Sequence, residues 1–318
     1  MLLNKIKNFI NLNVKPRYST KYGLKVHPFL TDFKTAEISS TYGDHESVIL
    51  LPEKHTFDSN GVYQTRDQDE AFYNVCGVAI YSLVCYDNLV RLKNKEKEKD
   101  FFIQIKWLEE NVEYLDEEKA LWNYKYPGQR EFFSSISQGF IISAFVRAWL
   151  LTQELKYYKL AVNAYNFLIT PIEKGGLKSV TKGYDFWLEE YLDHPKILNG
   201  HIYALFGIWD LYRVTKDANI KESFDLGVID VVNNINQFDL GFFSRYAALD
   251  SNPANNSYHF THISQLKILY LITGIEKLKK YSDKFERYQY VKLYKILNIT
   301  YILFEILKKK FYQKKTNE

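Results

Sequence analysis

Residues 196–214 read KILNGHIYALFGIWDLYRV, nearly all apolar and with apolar residues on every face of a 3.6-residue period. That is the pattern of a helix enclosed on all sides. Three more stretches share it: AFYNVCGVAIYSLVCYDNLVRL from Ala71, SSISQGFIISAFVRAWLLT from Ser134 and YHFTHISQLKILYLIT from Tyr258. The four starts lie close to 62 residues apart. Between them run DFFIQIKWLEENVEYL, LKYYKLAVNAYNFLI and IKESFDLGVIDVVNNI, in which charge collects on one side and apolar residues on the other. An enclosed helix that alternates with an amphipathic one reads as the inner and outer layers of stacked α-hairpins. The expected fold is therefore mainly α, an incomplete (α/α) toroid of about four helical hairpins with a short irregular or β-containing N-terminal arm.

Each enclosed helix follows a loop rich in Gly, Tyr and charge: DSNGVYQTRDQDE, NYKYPGQREFF, KGYDFWLEEYLDHP and GFFSRYAALDSNPANN. If the inner helices run parallel, these loops open at one end, where the positive ends of the helix dipoles favour an anionic ligand. Pro195 and Pro253 punctuate the chain just before two of these helices. Three regions are expected: a basic arm over 1–55 with a strand at Ser47 to Leu51, an α/α catalytic domain over 56–275, and a basic amphipathic C-terminal helix over 276–318.

Of the 318 residues 46% are hydrophobic, enough for a large core, and 17% are aromatic, which suits a cleft where rings stack on sugar faces. The net charge of +4 is unevenly spread: residues 1–25 carry six Lys or Arg and no acid, and 276–318 carry twelve against five. The middle of the chain is acidic, which argues against a nucleic-acid partner. The basic termini are the candidates for contact with an anionic membrane or a synthesis complex, or for homodimer pairing. Cys76 and Cys85, nine residues apart in one apolar helix, suit two buried thiols better than a metal knuckle or disulfide. With no signal-peptide run and no apolar stretch of about 18 residues, the expected location is cytoplasmic.

Candidate chemistry gathers in two places. WLEEYLDHPKILNG brings Glu189, Glu190, Tyr191 and Asn199 to the entrance of the third enclosed helix. In an extended chain Glu189 and Tyr191 face one way and Glu190 the other, and which acid points inward is left open. SRYAALD and NNSYHFTHISQ bring Arg245, Tyr246, Tyr258, His259 and His262 to the fourth. The HxxH pair has no HExxH glutamate and no third ligand, so no metal is expected. Arg130, Gln138 and Arg147 join the candidates around the second enclosed helix; Arg147 suits a buried ion pair as well as a substrate contact. GxGxxG, GxxxxGK[ST] and GxSxG are all missing, which counts against nucleotide and α/β-hydrolase chemistry.

SQGFIISAFVRAWLLT, GGLKSV, WLEEYLDHPKILNGHIYALFGIWDLYRVT, FDLGFFSRY and YHFTHISQL stand in the order and spacing of the D-glucuronyl C5-epimerase family's C-terminal domain, which the chain resembles over about 120–275. The resemblance implies an isomerase that inverts C5 of glucuronate to iduronate in a heparosan-like polysaccharide, with no cofactor. It assigns Glu190, Tyr191, Tyr246 and Tyr258 to catalysis. Gln138, Arg147, Asn199 and His262 match further motif positions, and Arg130, Glu189, Arg245 and His259 complete the expected substrate-binding set. Leu192 replaces the family's Pro after EEY, and Ala247 and Ala248 replace the Asp-Leu of its tyrosine loop. A lyase or glycoside hydrolase on the same toroid, and a non-catalytic polysaccharide-binding protein, are the alternatives.

Overall fold

The computed structural model describes residues 25–26, 42–50, 54–67, 70–126, 128, 130–193, 196–250, 253–294, 296–301 and 303–304. They fall into two compact units, one spanning 25–234 and one beginning at Ile235.

The first unit holds helices α1 (Val75–Arg91), α2 (Glu96–Glu110), α3 (Ser135–Thr152), α4 (Leu155–Leu168), α5 (Leu198–Thr215) and α6 (Ala218–Asn234). Each even-numbered helix packs on the odd-numbered one before it, while α1 packs on α3 and α3 on α5. The inner layer is thus α1-α3-α5, and its members are three of the four enclosed helices of the sequence. They run parallel. Gly139 near the start of α3 meets Ala204 and Gly207 of α5, and two turns later Arg147 meets Asp210 and lies over the Tyr86 ring in the second half of α1.

Two glycines set the α3–α5 distance. A Cβ on Gly139 would stand 2.6 Å from Ala204 Cα, and one on Gly207 would overlap the Gly139 carbonyl oxygen. The backbones approach so closely that no other residue fits at either position.

The inner-to-outer turns repeat one device. At Thr152, Thr215 and Thr273 the hydroxyl donates to the carbonyl four residues back and accepts the N–H two residues on. Between those groups stands a residue in the left-handed region, Gln153 (φ 60°), Lys216 (φ 55°) and Gly274 (φ 73°), which turns the chain back.

The loops before the inner helices contain short antiparallel ribbons. β1 (His55–Phe57), β2 (Tyr63–Asp67) and β3 (Glu70–Phe72) precede α1, and β6 (Lys178–Thr181) and β7 (Tyr184–Leu188) precede α5. β4 (Glu113–Asp116) and β5 (Lys119–Leu121) follow α2. The second unit contains one more hairpin, α7 (Asn256–Thr273) packed on α8 (Glu276–Tyr290). Asn255 caps α7 by accepting the Tyr258 N–H at 2.9 Å.

Two expectations change. Residues Glu46–Ile49 form one helical turn, where a strand over Ser47 to Leu51 was expected; Ile49 and Leu50 satisfy their N–H groups on His45 and Glu46 and need no partner strand. Helix α3 is long and apolar enough to cross a membrane by composition, although no such run was expected, and 72% of it is buried inside the protein. Pro195, most of the arm over 1–55 and residues 305–318 lie outside the described residues.

Candidate active site

Strand β7 delivers the WLEEY segment across the first turns of α3 and α5. The Leu188 N–H donates to His201 Nδ1 at 3.0 Å, Ser135 Oγ donates to the Leu188 carbonyl at 3.3 Å, and the Ser135 N–H donates to the Glu189 carbonyl at 3.1 Å. His201 in turn donates from Nε2 to the Gly227 carbonyl on α6 at 3.1 Å and stacks on Trp187, centroids 4.0 Å apart. Burial lowers its pKa to about 3. The ring is therefore a neutral strut that joins strand, inner helix and outer helix.

This seating decides which acid faces where. Glu189 accepts from Ser179 Oγ at 2.6 Å and pairs with the Lys196 ammonium, so it closes the 189–196 loop upon itself. Glu190 turns to the start of α5 instead. It is 5% exposed, with Asn199 Nδ2 at 3.4 Å from Oε2, and it lies against Gly200, where any Cβ would collide with the carboxylate. Burial raises the pKa values of Cys76, in the first turn of α1, and of Tyr124, the thiol's to about 12, and the nearby Glu190 charge adds to the rise in both. Glu190 accordingly sits among the N-termini of the inner helices, where the dipoles favour negative charge.

Tyr191 faces solvent. It is 37% exposed, its ring centroid lies 5.7 Å from that of Phe132, and it lines a cavity of about 500 Å³ with Arg130 and Asp193. Gln138 is fully buried, donates from Nε2 to the Trp122 carbonyl at 3.3 Å, and keeps Oε1 without a hydrogen-bond partner among the described residues.

Arg147 was expected either to contact substrate or to form a buried ion pair, and it forms the pair. At 1% exposure its Nη1 is 2.6 Å from Asp210 Oδ2 and 2.9 Å from the Ser143 carbonyl. Asp210 also accepts from the Tyr42 hydroxyl at 2.5 Å and lies 3.7 Å from Arg213. A guanidinium so enclosed offers nothing to a ligand in solution, and Arg147 leaves the substrate-binding set.

The second unit carries the other candidates. Tyr246 and Tyr258 pack ring on ring, centroids 4.6 Å apart, with Tyr258 38% exposed. Arg245 donates from Nη1 to the Gln237 carbonyl at 2.9 Å. His259 is a strut like His201: the Ser244 N–H donates to its Nδ1 at 3.1 Å, its Nε2 donates to the Phe285 carbonyl on α8 at 3.0 Å, and its ring stacks on Phe243 at 3.7 Å. His262 Nδ1 lies 2.9 Å from Ser244 Oγ. Both rings are fully buried, and burial lowers both pKa values to about 3. Neither presents a cation to a substrate, and His262 keeps Nε2 without a hydrogen-bond partner among the described residues.

The two struts reveal an internal repeat at the site. With His201 and His259 aligned, Trp187-Leu188 corresponds to Phe243-Ser244 and Gly227 to Phe285. By the same register Glu190 corresponds to Tyr246 and Gly200 to Tyr258. One hairpin places a carboxylate over a glycine; the next places a tyrosine over a tyrosine. The aromatic residue 14 or 16 positions before a histidine on the third and fourth enclosed helices was the sequence signal for these struts. Lys196, Gly200, Cys76 and Tyr124 were also missed, since none has a motif of its own.

Stacked α-hairpins with a carboxylate and a tyrosine at the N-terminal end of the inner helices define a class of helical protein with a polar site at the mouth of its hairpins. Within it, residues 116–287, more than half of the chain, match the family described as D-glucuronyl C5-epimerase C-terminus, and the chain belongs to that family. It is 32% identical to the D-glucuronyl C5-epimerase of Caenorhabditis elegans over 182 residues, 50% of this chain and 29% of that protein. It is 34% identical over 136 residues to an uncharacterised protein of Methanocaldococcus jannaschii, covering 41% of this chain and 42% of that one. The chain thus spans less than half the length of either relative. Among solved structures, a glycoside hydrolase family 76 mannosidase of Bacteroides thetaiotaomicron aligns over 71% of this chain and 62% of its own, and a cellobiose 2-epimerase of Bacillus thermoamylovorans over 90% and 71%. Each does so with a TM-score of 0.49 at 13% identity.

Proposed function

We propose that the protein is a uronate C5-epimerase that converts D-glucuronate to L-iduronate residues within a heparosan-like acidic polysaccharide. The observation that carries this reading is the seat of Glu190, a buried carboxylate held over Gly200 among helix N-termini, with Tyr191 beside it on an open cavity. Family membership supports the reaction class.

Epimerisation removes the C5 proton from one face of the sugar and returns one to the other. The carbon acid is far weaker than a phenol at about 10, and each unit of mismatch costs about 1.4 kcal/mol. Abstraction therefore needs donors that take up the charge developing on the sugar carboxylate. Arg130, which lines the Tyr191 cavity, is the assigned clamp. Glu190 is the assigned base in the first unit, and the family resemblance also assigns Tyr246 and Tyr258 to catalysis. The reaction is redox-neutral, and the proton inventory closes with side chains alone.

The test is incubation with heparosan in deuterated water. Deuterium at C5 of the uronates is the expected result, lowered at least 100-fold by Glu190→Gln and by Tyr258→Phe. Unsaturated products absorbing in the ultraviolet would indicate a lyase, new reducing ends a hydrolase, and binding without exchange a non-catalytic protein. Uptake that both substitutions leave unchanged would overturn the residue assignment.

A further inference from the structure

A second cavity, of about 310 Å³, opens where the C-terminal half of α2 meets β3 and the segment after β5. Its wall carries a stacked pair, Tyr73 on Trp107, with centroids 5.2 Å apart and planes at 30°. Tyr73 is held there by its hydroxyl, which donates to Asp58 Oδ2 at 2.8 Å; Asp58 is itself fixed by the N–H groups of Asn60 and Val62. The platform is built before any ligand arrives.

Around it stand three carboxamides, Gln64, Asn111 and Asn123. Asn111 donates to the Trp107 carbonyl and Asn123 to Glu113 Oε2, both at 2.8 Å, which leaves their Oδ1 atoms to accept hydroxyl protons. The one cation among the described lining residues, Lys125, lies 2.8 Å from Glu113 Oε1. Aromatic faces, oriented amide acceptors and an already neutralised charge suit a ligand with an apolar face, many hydroxyls and no net charge. A pyranose without a carboxylate has that chemistry.

The cavity is also joined to the Tyr191 cavity by a file of rings. Phe72 in its wall meets Tyr126 at 5.0 Å, Tyr126 meets Phe132 at 5.8 Å, and Phe132 meets Tyr191 at 5.7 Å. None of the four is fully buried, so the file forms a partly exposed aromatic track between the two cavities.

We propose that the Trp107 cavity is a distal subsite that binds an uncharged hexose-type unit of the same polysaccharide whose uronate is held beside Glu190 and Tyr191. This rests on the proposed function, because it takes the ligand of that site to be a polymer. Its consequence is a dependence on chain length: an oligosaccharide long enough to follow the ring track gains contacts that a short one cannot reach.

The test measures binding of a heparosan trisaccharide and a heparosan decasaccharide to the full chain and to its Trp107→Ala and Asn123→Ala variants, with circular dichroism to confirm folding. Wild type should hold the decasaccharide more tightly. Trp107→Ala should weaken the decasaccharide about tenfold and leave the trisaccharide unchanged. Asn123→Ala should act in the same sense, severalfold, and gives the reading should Trp107→Ala fail to fold. Equal effects on both ligands, or no effect on either, overturn the subsite while leaving the proposed function intact. A wild-type protein that binds neither ligand overturns the proposed function itself and the subsite with it.

Discussion

Removing Asp210 should cost more stability than removing Arg147, although the two form one ion pair. Asp210 is shared by Arg147 at 2.6 Å, Arg213 at 3.7 Å and the Tyr42 hydroxyl at 2.5 Å, all inside a fully buried cluster. Arg147→Met deletes one cation and leaves the carboxylate with Tyr42 and Arg213. Asp210→Asn leaves two enclosed guanidinium groups with the carboxylate that both approach gone. Breaking a buried pair by removing one partner costs about 3 to 5 kcal/mol, so Arg147→Met belongs near the lower bound and Asp210→Asn at or beyond the upper. Urea unfolding, followed by tryptophan fluorescence and by circular dichroism, reads the difference as the order of the midpoints. The folded fraction of Arg147→Met should keep the wild-type KM, because that side chain is closed to ligand. An Arg147→Met variant as stable as wild type but weakened in KM would refute the core role and restore Arg147 to the substrate site.

Two further outcomes follow from the same geometry. Gly200→Ala would put a methyl group into the Glu190 carboxylate; the proposed C5 deuterium uptake should fall at least tenfold while the unfolding midpoint changes little, and an alanine variant with wild-type uptake would remove Glu190's present position from the proposed mechanism. His201, His259 and His262 have pKa values lowered by burial to about 3, against an ordinary 6.5. The unfolded chain thus takes up protons that the folded chain refuses, so stability is full above about pH 6.5 and falls as pH drops toward 3. Each histidine should cost about 2 kcal/mol between pH 7 and pH 5, and a flat stability profile over that range would contradict the neutral-strut reading.

The candidate site was partly legible in the chain. Glu190 and Tyr191 stood out because two acids and a tyrosine interrupt an otherwise apolar stretch, and alternation separated Glu189 from Glu190 without saying which turned inward. That choice depended on Ser179 and Lys196 gathering around Glu189, and on Gly200 leaving room for its neighbour. The HxxH spacing left His259 and His262 as candidates with a structural default, and the fold decides their partners: His259 turns both nitrogens to Ser244 and Phe285, and His262 turns Nδ1 to Ser244.

What the amino-acid sequence determined by itself was periodic: enclosed and amphipathic helices in alternation, near-equal spacing, and a polar segment ahead of each enclosed helix. Periodicity is a local property, because burial on all faces leaves its mark on every turn of a helix. Tertiary structure alone decided the pairing of Arg147 with Asp210, the approach of α3 to α5 through Gly139 and Gly207, and the inward face of the EEY segment. Those outcomes depend on groups on different elements, as far apart in the chain as Gly139 and Gly207, coming into direct contact, and no spacing within a single helix encodes such a meeting.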